Sequence, residues 1–190
     1  MAAISEEKAL GAFDDSGDIG AVQIPGSAHV DGDRLVVTGS GHNMWFEDDE
    51  CHFVWKKVEG DWSVGALVHF VGEGANAHRK AVALARASLD SDAAYAGIAL
   101  HAGDGLTSLQ YREAKGRTTE EIRFDANAPS RIALRKVGDR VEVSADGAER
   151  HEITLPFEGG YYIGLAVCSH VDDVAETVEF SEVSIQPVAD

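Results

Sequence analysis

A chain of 190 residues with 33 acidic against 16 basic side chains carries a formal charge of −17. That field repels phosphate backbones, and with no local basic patch to offset it, nucleic acid is set aside as a partner. No apolar run approaches the roughly 20 residues needed to span a bilayer, and no charged-then-apolar leader precedes Phe13, so the product reads as soluble and cytoplasmic, without a membrane.

The length suits one large all-β domain, 1–190, in which 1–12 is a frayed end or an edge extension. Residues 1–10 tolerate a helix on propensity but are too few to stand alone. Asp31-Gly32-Asp33 turns the chain from His29-Val30 into a strand at 34–38. Asn43-Met44-Trp45-Phe46 then leads into the acidic knot Glu47-Asp48-Asp49-Glu50, which has the composition of a loop or of a metal site. Residues 51–57 alternate, with Cys51, Phe53 and Trp55 on one face and His52, Val54 and Lys56 on the other. A turn at Glu59-Gly60-Asp61 gives way to a strand at 62–70, and the two strands read as the hairpin around which the chain is organised. Trp55 is expected to be its most costly residue to truncate.

After a flexible loop at 72–77, the stretch 80–89 is ambiguous. Its alanines favour a helix, whereas Val82, Leu84 and Arg86 alternate with Ala81, Ala83 and Ala85 as in a strand. Strand patterns then follow at 95–101, 107–112, 118–124, 131–136, 140–144, 153–157, 161–169 and 177–185, separated by Gly and Asp turns. Many short strands and no long helix predict an antiparallel β-sandwich or barrel. Its core candidates are Phe53, Trp55, Leu67, Ile98, Leu100, Leu134, Leu165 and Val167. Cys51 and Cys168, both in apolar strand sequence, read as buried thiols, and nothing calls for a disulfide.

Particular residues carry a resemblance. Asp18-Ile19-Gly20, Pro25-Gly26-Ser27, Gly39-Ser40-Gly41, Trp45, Asp48-Asp49, His52-Phe53-Val54-Trp55, Gly60-Asp61, the 105–112 run GLTSLQYR and the 164–170 run GLAVCSH together resemble the DUF1349-type family. The likeness covers about Asp18 to Val183. It implies a concanavalin A-like jelly-roll sandwich of the lectin and glucanase kind, and a strand over 80–89 ending at Arg86. Members of the wider superfamily bind or cleave sugars.

His52, Arg86, Tyr95, His101, Gln110, Arg112 and His170 lie in or at the ends of apolar strands. Polar side chains there are costly unless satisfied or used. On a concave sheet face, Tyr and His would offer planar surfaces to a sugar ring, and Arg and Gln directed hydrogen bonds to hydroxyls or a carboxylate. These residues are therefore the candidate ligand-binding set, for non-catalytic recognition of a saccharide or small polar ligand. The structural alternative is that the histidines are satisfied across strands and that Arg86 and Arg112 pair with acids. In a rival function the same face is buried against a partner or a second copy, making a homo-oligomer. Hydrolysis of a glycan stands third, because a carboxylate pair at fixed separation is needed. Glu47 and Asp49 are crowded by Asp48 and Glu50, and Glu176, Glu179 and Glu182 recur every third residue, which alternates their faces. Cys168 and His170 are splayed too far along one strand to form a nucleophile–base pair. For a structural calcium ion, the loop acids Asp14, Asp18 and Asp172, with Asp15 and Asp173 beside them, are hard oxygen ligands of the right kind. No set of Cys and His has zinc spacing, and no phosphate-binding loop is present.

Overall fold

The computed structural model describes residues 10–189, and all its regular structure is strand. The strands are β1 (Asp15–Ile19), β2 (Ser27–Asp31), β3 (Arg34–Gly41), β4 (Cys51–Val58), β5 (Trp62–Phe70), β6 (Lys80–Arg86) and β7 (Tyr95–His101), followed by β8 (Thr107–Arg112), β9 (Glu120–Arg123), β10 (Arg131–Val137), β11 (Arg140–Ala145), β12 (Glu149–Thr154), β13 (Tyr161–Cys168) and β14 (Val171–Pro187). They form two antiparallel seven-stranded sheets, ordered β1-β4-β13-β6-β7-β8-β9 and β12-β11-β10-β5-β14-β3-β2. This is the all-β sandwich that the alternation predicted. The helix-tolerant stretch expected at 1–10 lies, apart from Leu10, outside the described residues.

Apolar side chains from the facing sides of the two sheets interlock as one core, and Ile98, Leu100, Leu134, Leu165 and Val167 all take part. Three of the expected core residues do not. Phe53 is fully buried, but on the outer face of the first sheet, where Trp55 packs beside it partly buried. Leu67 alternates out of phase with Val64, Ala66 and Val68 and faces away from the core. A period of two assigns residues to opposite faces without saying which face is covered.

The 80–89 stretch is a strand, β6, ending at Arg86, and all seven of its residues are buried. Ala81, Ala83 and Ala85 face the second sheet, while Val82 and Leu84 belong to a second apolar cluster on the outer face. Covering on both faces overrides the helix propensity of alanine.

The supposed hairpin at the centre of the chain does not pair with itself. β4 bonds to β1 and β13 in one sheet, β5 to β10 and β14 in the other, so the turn at Gly60 is a corner between layers. Gly60 takes a φ of 79°, and Tyr161 Oη donates to its carbonyl at 2.7 Å. A turn signal predicts reversal, and both hairpins and sheet-to-sheet corners need one. The strand expected at 153–157 falls earlier, over β12, whose polar residues are those of a sheet edge.

Candidate functional site

The outer face of the first sheet carries most of the sequence-predicted ligand set, and antiparallel register sorts it into two ends. At one end Arg86, Tyr95 and Arg112 occupy one rung on β6, β7 and β8. At the other, Cys168, Lys80 and His101 form a rung on β13, β6 and β7.

The arginine end is closed. The 42–50 loop, between β3 and β4, lays Asp49 across the rung. Arg86 Nη1 and Arg112 Nη1 both donate to Asp49 Oδ2 at 2.7 Å, and Arg112 Nη2 donates to Oδ1 at 3.0 Å. All three side chains are fully buried. The remaining Arg112 donors reach the carbonyls of Trp45, Phe46, Ala93 and Arg117 and the hydroxyl of Thr119, tying three loops together. Arg86 bonds the carbonyls of Ser88, Asp90 and Ser91. The Tyr95 ring lies 5.5 Å from the Arg86 guanidinium and 5.1 Å from that of Arg112, contacts in which the ring face stabilises the cations. Arg86, Tyr95 and Arg112 are thus corrected from ligand-binding residues to internal anchors, because the chain's own Asp49 and loop carbonyls already satisfy them. The same contacts make Asp49 a fully buried counter-ion to both guanidinium groups.

His52 is corrected as well. It lies on the opposite face of β4 from Phe53, toward the second sheet, where Gly26 and Gly39 leave room for its ring. Its Nδ1 meets Asp18 Oδ1 at 2.8 Å, and its Nε2 is buried between the sheets without a partner, away from the outer face.

The far end is open. A cavity of about 310 Å³ is lined by Asn43, Trp45, Phe46, His78, Lys80, His101, Leu106, Gln110, Glu121, Arg123 and His170. It contains His101, Gln110 and His170 of the predicted set. Lys80 Nζ, in a buried side chain, donates to Asn43 Oδ1 at 2.9 Å, and Gln110 Nε2 to Ser108 Oγ at 3.1 Å. Burial lowers the Lys80 pKa. Burial, followed by the nearby Lys80 charge, pushes the His101 pKa down to about 4, so its ring is neutral at pH 7. The same causes lower His170. Four imidazoles run across one end of this face: His101 and His78 stack with centroids 5.0 Å apart, His78 and His170 lie 5.6 Å apart, and His170 and His42 6.4 Å apart. His170 sits between β13 and β14 with a φ of 64°, which a β-carbon makes unfavourable. Phe46, 57 % exposed, stands at the rim.

Sequence reasoning missed Asn43, His78, Lys80, Glu121 and Arg123. His78 lies in a loop that showed only flexibility, yet that loop is fixed to the β7–β8 turn: Gly103 N donates to the Ala77 carbonyl at 2.8 Å, and Ala102 N to that of Arg79 at 3.0 Å. The usable signal was the rung pairing Lys80 with His101, which alternation alone does not supply.

Asp14, Asp18 and Asp172 are not gathered into one site. Asp14 pairs with Lys56, Asp18 with His52, and Asp172 faces His42. Among the described residues the convergent metal-type group is instead His78, His101 and Asp104. Cys51 and Cys168 are free and fully buried, and burial raises both thiol pKa values, that of Cys168 to about 11.

No family model matches the chain, and no curated protein does. Solved structures do. A functionally unknown protein from Saccharomyces cerevisiae aligns with a TM-score of 0.63 at 16% identity, over 86% of this chain and 93% of that one. The carbohydrate-binding module CBM66 from Bacillus subtilis aligns at 0.57 and 15% identity, over 92% and 97%. An alginate lyase from Pseudomonas aeruginosa aligns at 0.57 and 13%, over 85% and 86%. The likeness is one of fold. The chain is an antiparallel jelly-roll sandwich, the fold it shares with these neighbours.

Proposed function

We propose that this chain is a DUF1349-type domain that binds a saccharide, without cleaving it, in the cavity between Lys80, Gln110, Arg123 and His170. The carrying observation is the cavity itself: amide, amine, guanidinium and imidazole donors converge on about 310 Å³ beside the exposed face of Phe46. That volume is at the lower end of the roughly 300–1,000 Å³ typical of small-molecule sites, so a mono- or disaccharide suits it better than a long chain. The fold shared with a carbohydrate-binding module and with alginate lyases supports the reading. The non-catalytic part is supported by the cavity lining, in which Glu121 is the single acid where glycoside hydrolysis uses a carboxylate pair. An interaction surface is the weaker alternative, since the arginine end is covered by the chain's own loops and the other end is a hollow.

Calorimetric titration with cellobiose and with digalacturonate tests this. Binding of at least one is expected, and Gln110→Ala or Arg123→Ala should each weaken it by about tenfold, the worth of one directed hydrogen bond. Absence of binding to both sugars, or unchanged affinity in both variants, refutes the proposal.

A further inference from the structure

Beside the cavity, two loops bring together residues 26 positions apart in sequence. His78 Nε2 lies 3.5 Å from Asp104 Oδ2, and His101 Nδ1 lies 3.5 Å from Asp104 Oδ1. Ligand atoms of all three residues fall within 4.8 Å of one another. At 3.5 Å these approaches are long for hydrogen bonds between an imidazole and a carboxylate. Two ligand atoms each about 2.1 Å from a tetrahedral ion stand about 3.4 Å apart, the separation that each imidazole keeps from one oxygen of the shared carboxylate.

An independent observation points the same way. The His101 side chain is only 8% exposed, yet its Nδ1 has no hydrogen-bond partner. A buried ring nitrogen without a partner is costly in a finished core and normal in a site awaiting a ligand. The carboxylate is also held in place, since Asp104 Oδ1 accepts from Leu106 N at 3.0 Å. His78, with a half-exposed side chain, supplies the adjustable third arm.

We propose that His78, His101 and Asp104 form a binding site for a divalent transition metal ion of the zinc type. Two imidazoles and one carboxylate suit zinc or cobalt and are a poor set for calcium, which takes oxygen ligands. Three protein ligands leave a coordination position for water or a ligand oxygen. His78 and His101 both line the cavity, so a bound ion would stand in its wall. The site holds whether or not the cavity accepts a sugar, because it depends on these residues alone.

The test is metal binding by the chelator-stripped protein, using Zn²⁺ in a competition titration and Co²⁺ by its visible absorption. The parent should bind about one equivalent of either ion at micromolar concentration, with a Co²⁺ spectrum of low coordination number. His78→Ala and Asp104→Asn, both at exposed positions, should weaken binding by at least about tenfold. His29→Ala, at an exposed histidine on β2, should leave it unchanged. Metal-free melting temperatures of the variants equal to the parent's keep loss of binding separate from loss of fold. Failure of the parent to bind either ion, or equal affinity in His78→Ala, Asp104→Asn and His29→Ala, overturns the site.

Discussion

β6 begins at Lys80 and ends at Arg86, and its neighbour β7 begins at Tyr95 and ends at His101, so one strand pair carries the same kinds of polar side chain at both ends of one face. At the Arg86 end each cation finds a carboxylate or a carbonyl within its own chain. At the Lys80 end two buried histidine Nδ1 atoms, those of His101 and His170, remain without partners, in residues that line a cavity. Polar residues on an apolar strand therefore do not identify a binding site by themselves. Between these two rungs, what separates anchor from site is whether the chain supplies the partner.

Removing the partner at the closed end should have the largest effect. Asp49→Ala leaves two buried guanidinium groups without their carboxylate and should cost about 3–5 kcal/mol. Gln110→Ala, which removes one neutral hydrogen bond to Ser108, should cost less, about 1–3 kcal/mol. Urea midpoints measure both, and equal losses would erase the distinction.

A smaller contrast lies within the apolar floor of the same face. Phe53, fully buried, should lose about 3–5 kcal/mol on truncation to alanine, and partly buried Trp55 less. The same unfolding measurement ranks them, and a greater loss at Trp55 would restore the sequence-based expectation.

The least effect is expected from the buried thiols. The Cys168 pKa is raised by burial from 9.0 to about 11. A raised pKa means that the folded state holds its proton more tightly than the unfolded state. Its stabilisation is complete below pH 9 and is lost as pH rises from 9 toward about 11. Cys168→Ala should flatten the stability profile over that window, and an unaltered alkaline slope would show that this thiol does not contribute. Native Cys51 and Cys168 should also resist a thiol reagent at pH 8, because both lie beneath the covered face.

The sandwich was legible because Gly and Asp turns and two-residue alternation are local properties of the chain. The 80–89 strand needed the family likeness, since alanine propensity pointed the other way and the sheet above it is invisible in sequence. The site was half legible. His101, Gln110 and His170 were found as polar residues on apolar strands, but Arg86, Tyr95 and Arg112 carried the same signal and are anchors. The difference is Asp49, lodged in an acidic loop 37 residues from Arg86 and 63 from Arg112. His78 was hidden because its role depends on a loop stitched to the β7–β8 turn. The β4–β5 corner was misread because chain reversal does not specify a hydrogen-bonding neighbour.

The division between a closed end and a binding end is tested most directly by amide chemical-shift mapping of the ¹⁵N-labelled protein with cellobiose and digalacturonate. Perturbations are predicted at Asn43, Lys80, Gln110, Arg123 and His170, with Ala93, Arg117 and the second sheet unmoved. Shifts centred on Ala93 and Arg117, shifts on the second sheet, or no shifts with either sugar would contradict the account.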